Sequence, residues 1–497
     1  MPDRNREFLC SVGGSLVIPE RLRMQSTART WALAEFDSSR LGDSRLVRRA
    51  ITVGAALACQ PSGVISRAVK DPAEREAAYQ FLENTRVTAT PIAKSVFSAT
   101  AARARALPFV FVAVDASSLA IGDEEGDRGT GPIGTKDRGG RGFLMMSALA
   151  VASDGTPLGL CAQEWWTRGE ETVTPAGKDR RKVAGKETKH WLAAVRKTRS
   201  ALKGTNCRPW FQLDRGGDAW PVLLDAVDSK SWLTVRACHS RRLRRQRGGE
   251  QEYLWPTVDA AAPLGRYSVA VAAGPGREAR TAVMVVRACE VTLDIQKLPQ
   301  KAHVPVRVWA VHASEAEASA GAATPLQWRL LTTHPATTFV DACTVLFGYT
   351  QRWRVEEFHK ALKTGACNIE DTQLRSGRGI LVLATLLSAV ATRLLRMTYL
   401  SRRQPDLPAS VEFSLPELHA AAALTGRRKP RSAEAIPLAT AVLWVAEAGG
   451  YTGGGPSRPP GLIVLARGLS RVLLVVASRE PPKKDRRRSN IPRRGQA

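Results

Sequence analysis

The spacing of apolar residues divides this chain into regions with different rhythms. In the first hundred or so residues it is helical. Leu41 to Leu57 (LGDSRLVRRAITVGAAL) sets Val47, Ala50, Val53, Gly54 and Leu57 apart from a stripe of Arg45, Arg48 and Arg49. Asp71 to Asn84 (DPAEREAAYQFLEN) opens with an N-cap aspartate, a proline at the first helical position and Glu74 three residues after the cap. Beyond Pro108 the rhythm becomes that of strands. Phe109 to Asp115 (FVFVAVD) is a nearly unbroken β-branched and aromatic run ending in an acid, which predicts a strand buried on both faces. Phe143 to Leu160 predicts two strands joined at the Asp154-Gly155 turn, and His190 to Leu202 a helix. Trp210 to Asp214 (WFQLD) is a second strand ending in an acid, followed by Arg215, Asp218 and a helix.

From 250 to 335 the pattern breaks into short β-rich pieces: Tyr267 to Ala273, Thr281 to Val286 and Val304 to Val311. The order strand, hairpin, helix, strand predicts an α/β fold with a ribonuclease-H-like core, interrupted by an inserted antiparallel β-sheet. Tyr349 to Gly365 (YTQRWRVEEFHKALKTG) then reads as one amphipathic helix, and Ile380 to Thr392 as a buried one. The C-terminal part alternates apolar helices with Pro/Gly breaks such as GGGPSRPPG, and the last seventeen residues are basic and Pro-rich, predicting disorder.

Charge adds a partner to this picture. The 497 residues hold 73 Lys and Arg against 46 Asp and Glu, a formal net charge of +27. The clusters KDRRKVAGK (178 to 186), RRLRRQR (241 to 247) and KKDRRRSNIPRR (483 to 494) lie far apart. A positive field spread in this way favours an extended nucleic-acid contact over a small acidic ligand. The charged N-terminus lacks a signal-peptide core, the 380 to 392 run is shorter than the ~20 residues of a membrane span, and the eight cysteines form no CxxC pair. The expectation is a reduced, cytoplasmic protein with no membrane partner.

Three acids then become candidates for chemistry. At about 100° per residue, Tyr349, Arg352, Glu356, Lys360 and Lys363 fall within roughly 40° of one line on a helix. A carboxylate there is flanked by three cations and a phenol. The bland account is an i,i+4 surface pair between Glu356 and Lys360, worth a few tenths of a kcal/mol. Asp115 and Asp214 would meet at the carboxyl edge of the sheet if their strands are neighbours. Their bland account is an N-cap role for each. Carboxylate oxygens are also the hard ligands that Mg²⁺ prefers.

Tyr349, Arg352, Glu356 and Lys363 resemble the YREK signature of bacterial cut-and-paste DDE transposases of the insertion-sequence-four group, Tn-five type. Other stretches resemble that family in the same order. They are Trp31 with LGDSR at 41 to 45, EAAYQFLEN at 76 to 84, QEWWTR at 163 to 168, DRGGD at 214 to 218, PLQWRLLTT at 325 to 333 and RWRVEEFHKALKTGA at 352 to 366. The resemblance implies that Asp115, Asp214 and Glu356 are catalytic ligands of Mg²⁺, with Mn²⁺ as a substitute. It implies DNA contacts by Tyr349, Arg352, Lys360, Lys363, Arg236 and Arg215, and by Trp328, on which a flipped base would stack. Asp218 would support Asp214. Arg45, Arg48 and Arg49 would read the transposon ends. Where the family has a hydroxyl residue after the first aspartate this chain has Ala116, and its C-terminal region is a weak match.

The organisation this implies is an extension of unknown role (1–30), a helical end-binding domain (31–106), a catalytic domain (107–400) with its β-rich insertion at about 240–335, a helical C-terminal domain with a possible dimerisation role (401–480), and a basic tail (481–497). The partners would be double-stranded DNA, as transposon ends and target, and a second copy of the chain when two ends are synapsed. The protein would act on the bacterial nucleoid. Two rivals stand beside this reading: an inactive element-derived DNA-binding or inhibitor protein, and a nuclease that cuts without joining.

Overall fold

A computed structural model describes residues 28–123, 126–134, 140–169, 180–245, 249–274, 278–297, 302–316, 324–453 and 459–479. Most of the N-terminal extension, part of the KDRRKVAGK and RRLRRQR clusters and the basic tail lie outside the described residues.

The N-terminal helices are α1 (Ala28–Phe36), α2 (Ser44–Cys59), the short α3 (Ile65–Ala68), α4 (Pro72–Leu82) and α5 (Ala89–Ala104). Their starts follow the local chemistry. The Asp43 carboxylate accepts the Arg45 N–H at 2.8 Å, and Asp71 accepts the Glu74 N–H at 2.8 Å with Pro72 in the first turn. Gly54 lets α2 close onto the Phe36 ring, since a Cβ there would stand 2.3 Å from it.

Ten strands form one sheet among the described residues: β1 (Phe109–Ala120), β2 (Gly131–Pro132), β3 (Arg141–Val151), β4 (Pro157–Trp166), β5 (Arg208–Leu213), β6 (Trp232–Arg236), β7 (Gly265–Val271), β8 (Arg280–Lys297), β9 (Ala302–Glu315) and β10 (Gln327–Thr332). The path runs β2-β3-β1-β5-β6-β10-β9-β8-β7, with β4 on β3. Strands β1, β5 and β6 are mutually parallel, whereas β3 and β4 pair antiparallel as the predicted hairpin, with Gly155 in its turn at φ +89°. Helices α6 (Arg180–Leu202), α7 (Trp220–Asp228) and α8 (Leu254–Ala260) connect them.

Two expectations change here. The inserted strands are not a separate sheet: β10 pairs antiparallel with β6, so β7 to β10 prolong the core sheet beyond its last parallel strand. The charged stretch is not one helix either. Helix α9 (Phe339–Thr350) ends, Gln351 and Arg352 form a turn, and α10 (Trp353–Lys363) begins. At the junction the Gln351, Arg352, Arg354 and Val355 N–H groups all bond three residues back, a tighter coil than the α-helix. The Gln351 side-chain amide also donates to the Phe347 carbonyl, which holds the break in place.

Helix α11 (Gly377–Arg403) extends well beyond the predicted apolar run and is long and apolar enough to cross a membrane by length and composition. Its most apolar window is 94% buried inside the molecule, however, so it is the spine of a core. Against it pack α2, α4, α5, α10 and β4. Helices α12 (Leu415–Leu424), α13 (Leu438–Ala448) and α14 (Leu462–Arg479) complete the C-terminal part, where Gly449 and Gly468 allow α13 and α14 to touch backbone to backbone.

Candidate active site

The parallel pairing of β1 with β5 ends at Val114 opposite Leu213. Asp115 and Asp214 are the next residue on each chain, so the two acids leave adjacent strands at the same level. Asp115 is not a strand end, as the sequence predicts. β1 runs on to Ala120 because β3 still pairs with it, Asp115 standing opposite Ser147. The acid therefore lies where the strand loses one neighbour but keeps the other.

Glu356 arrives from α10. Arg352, at the turn that starts this helix, donates to Asp115 Oδ2 at 3.0 Å and also to Glu356 Oε1. The guanidinium bridges two of the three acids and is largely buried, with 12% of its side chain exposed. Asp115 Oδ1 accepts the Ala116 N–H at 2.8 Å. Burial, then the Asp214 charge and more weakly that of Glu356, push the Asp115 carboxyl up to about 6, against the pull of Arg352. That dependence places Asp214 and Glu356 each within electrostatic reach of Asp115.

Asp214 also fits its bland account: its Oδ1 caps a 3₁₀ turn at Arg215–Gly217 by accepting the Gly216 N–H at 2.7 Å. Asp218 turns inward, its side chain fully buried and paired with Arg241 at 2.7 Å. Tyr349 is buried in the last turn of α9. Burial raises its phenol, opposed by Arg352 and Arg236, so the end of β6 faces the same site. Arg215 follows Asp214 directly on the exposed side.

The other predicted contacts are placed less uniformly. Lys360 is exposed on α10, while Lys363 is half-buried and lies 3.7 Å from Glu370. Glu370 in turn accepts the Ala120 N–H at 2.8 Å, at the far end of β1. Trp328 is half-buried on β10 opposite Ala313 and packs against the core. Arg45, Arg48 and Arg49 sit on α2, in the N-terminal helices rather than at the acids. Two of them already have carboxylate partners, Arg45 on Asp43 at 2.9 Å and Arg49 on Glu74 at 2.5 Å. Arg48 makes no ion pair among the described residues.

Sequence reasoning missed three residues. Trp353 is 55% exposed beside Arg352, visible in the sequence only as an aromatic within a charged helix. Glu370 gave no local signal, and Arg241 only that of the basic RRLRRQR run, because their partners lie in other elements.

The donor set suits a hard divalent cation in kind, being carboxylate oxygens. Two of the three acids share one guanidinium, and the raised Asp115 carboxyl reflects burial first and then the neighbouring Asp214 charge, which a cation would offset. Among the described residues, however, no three His, Cys, Asp or Glu side chains are gathered closely enough to enclose a metal ion. Arg352 stands between two of the acids instead.

Residues 28–87 match a family model described as transposase DNA-binding. That span is similar to the DNA-binding domain of transposases. The matched span takes in α1 to α4 and stops just before α5, which packs along strand β4 of the sheet. This supports a DNA-binding transposase with DNA as its partner, and gives the basic composition a specific meaning.

Proposed function

We propose that this transposase is a DDE enzyme of the insertion-sequence-four group that cuts its element out of DNA and joins it to a target. The observation that carries the proposal is the placement of Asp115 and Asp214 one step beyond the same parallel pair, with Glu356 tied to Asp115 through Arg352. The strand order around them, an antiparallel hairpin beside parallel β1, β5 and β6, supports a ribonuclease-H-like core.

In this reading Asp115, Asp214 and Glu356 hold Mg²⁺, or Mn²⁺ in its place. The metal supplies activation of the attacking oxygen and stabilisation of the leaving one. Arg352, Tyr349, Lys360, Lys363, Arg236 and Arg215 hold the phosphates of the transposon end and offset their charge. Lys363 lies seven residues from Glu356, about 10 Å along a helix, so its phosphate is a neighbour of the one being cut. Water attacks at the end of the element and frees a 3′ hydroxyl. That hydroxyl attacks the opposite strand to form a hairpin, water reopens it, and the ends are joined to target DNA. Trp328 stacks a base flipped out during the sharp bend. Two copies of the chain act together on synapsed ends, inside the cell on the bacterial nucleoid.

The test is cleavage of a duplex carrying the inverted repeats that flank the gene, with Mg²⁺. Strand cleavage at the repeat terminus, lost in Asp115→Asn, supports the reading; binding without cleavage by the parent protein overturns it. That outcome would favour the second reading, an inactive DNA-binding protein, to which the Arg352 bridge across the acids gives some support.

A further inference from the structure

Arg241 opens the RRLRRQR run, whose charge alone suggests a contact with DNA phosphate. Its surroundings are different. The guanidinium turns inward, approaches the fully buried Asp218 carboxylate at 2.7 Å and donates to the Asp218 backbone carbonyl at 2.9 Å. Asp218 Oδ2 also accepts the Cys238 N–H at 2.7 Å, and Cys238 Sγ lies 3.0 Å from the Arg215 carbonyl. The Arg241 carbonyl accepts the Leu254 N–H at 2.9 Å, where α8 begins. One residue thus ties the loop after Asp214, the segment leaving β6 and the start of the sheet extension.

The loop between the tie and the acid has little slack. A Cβ on Gly217 would stand 2.5 Å from the Leu213 side chain, and one on Gly216 would stand 3.1 Å from both Asp214 Oδ1 and the Trp191 ring. Asp218 and Asp214 are also joined through the turn, the Gly217 N–H reaching the Asp214 carbonyl and the Asp218 N–H the Arg215 carbonyl. A shift at 218 is therefore passed to 214 rather than absorbed.

We propose that Arg241 is a positioning residue, which holds Asp214 in its place at the acid cluster by locking Asp218, and is not a DNA contact. The inference rests on the reading of Asp214 as a metal ligand. Lysine could keep the charge but not the two-directional fork that reaches both the carboxylate and the carbonyl.

The experiment uses the full chain on its end duplex and compares the parent with Arg241→Lys and Arg241→Gln. It measures Mn²⁺ affinity by calorimetry, end binding across salt concentrations and thermal melting. The expected result is Mn²⁺ affinity lowered about 10- to 100-fold, as for other groups that orient a ligand, with end affinity and its salt slope unchanged. Weaker end binding with a salt slope reduced by about one unit would make Arg241 a phosphate contact and overturn the proposal. Parent-like Mn²⁺ affinity in a variant that only melts earlier would overturn it too. Because a lone buried carboxylate can unfold the loop, the Asp218→Asn, Arg241→Gln double variant is the second arm. A neutral pair should regain Mn²⁺ affinity over Arg241→Gln alone, and no recovery counts against the proposal. A parent that binds no Mn²⁺ on the duplex sinks the metal reading itself, whereas equal binding by parent and variants sinks only the role of Arg241.

Discussion

Two regions of this molecule gather acids and arginines, and they use them for opposite purposes. At the carboxyl edge of β1 and β5, Asp115 and Glu356 share one close guanidinium, that of Arg352, with the Asp214 charge nearby, and solvent reaches the group. Where the N-terminal helices, α11 and the C-terminal helices meet, three glutamates face three arginines in the interior. Glu35 pairs with Arg103 at 2.5 Å, Glu412 pairs with Arg396, and Glu417 feels the charge of Arg393. The guanidinium of Arg393 also lies over the Trp31 ring, 5.3 Å from its centroid. The first group has an excess of negative charge open to an incoming cation. The second is balanced and closed. The same kinds of side chain are left accessible with charge to spare or enclosed and paired, according to how the elements pack.

The largest effect should come from removing negative charge in the open group. Asp115→Asn, Asp214→Asn and Glu356→Gln should each lower end cleavage by more than roughly a thousandfold, as loss of a group acting in the transition state does. Thermal melting should stay level or rise, because like-charge crowding is relieved. A neutral variant that still cuts on a time-resolved denaturing gel would remove that acid from the chemistry.

The closed group should respond the other way. Glu412→Gln leaves the Arg396 charge buried and should cost about 3–5 kcal/mol in urea unfolding, while replacing both residues by Met and Leu should recover most of it. A Glu412→Gln protein as stable as the parent would mean the pair is solvated.

pH offers a finer separation. Burial pushes the Glu417 carboxyl from 4.5 up to about 7. Between those values the folded chain holds a proton that the unfolded chain has released. This group's contribution is therefore greatest at the acid end of that range, falls as pH rises to about 7 and is constant above it. The span amounts to about 3 kcal/mol. Glu417→Gln should flatten this part of the stability profile; an unchanged slope would assign it to other groups.

The smallest effect concerns the cations of α2. Arg48→Ala should weaken end binding several-fold with a salt slope lower by about one unit. Arg49→Ala should do less, since Glu74 already occupies Arg49. If Arg49→Ala gave the larger loss in a gel shift across salt concentrations, the ion pair to Glu74 would be one that DNA displaces.

The local rules made much of this legible. Asp71 caps its helix because a short carboxylate reaches an unpaired N–H three residues ahead, and Asp154-Gly155 turns a hairpin because glycine accepts a positive φ. Asp115 and Asp214 were legible as acids closing apolar runs, and Glu356 as the carboxylate on a charged helical face. Three other features were not. Asp115 lies within its strand because β3 outlasts β5, a matter of neighbours. The Gln351–Arg352 break is invisible to helical periodicity, as both residues keep nearly helical torsions. The β-rich insertion merges with the core sheet because β6 offers β10 a free edge.

By itself, then, the sequence determined the elements, their caps, the basic character and the chemical kinds available, since these depend on residues a few positions apart. Only the tertiary structure decided which charges are used up inside the molecule. Arg241 and Arg49 count as free cations in a composition, yet each is paired across 23 or 25 residues. Asp115 and Glu356, far apart along the chain, share one arginine. A charge acts through distance and burial, and both are set by packing between elements that the local sequence does not encode.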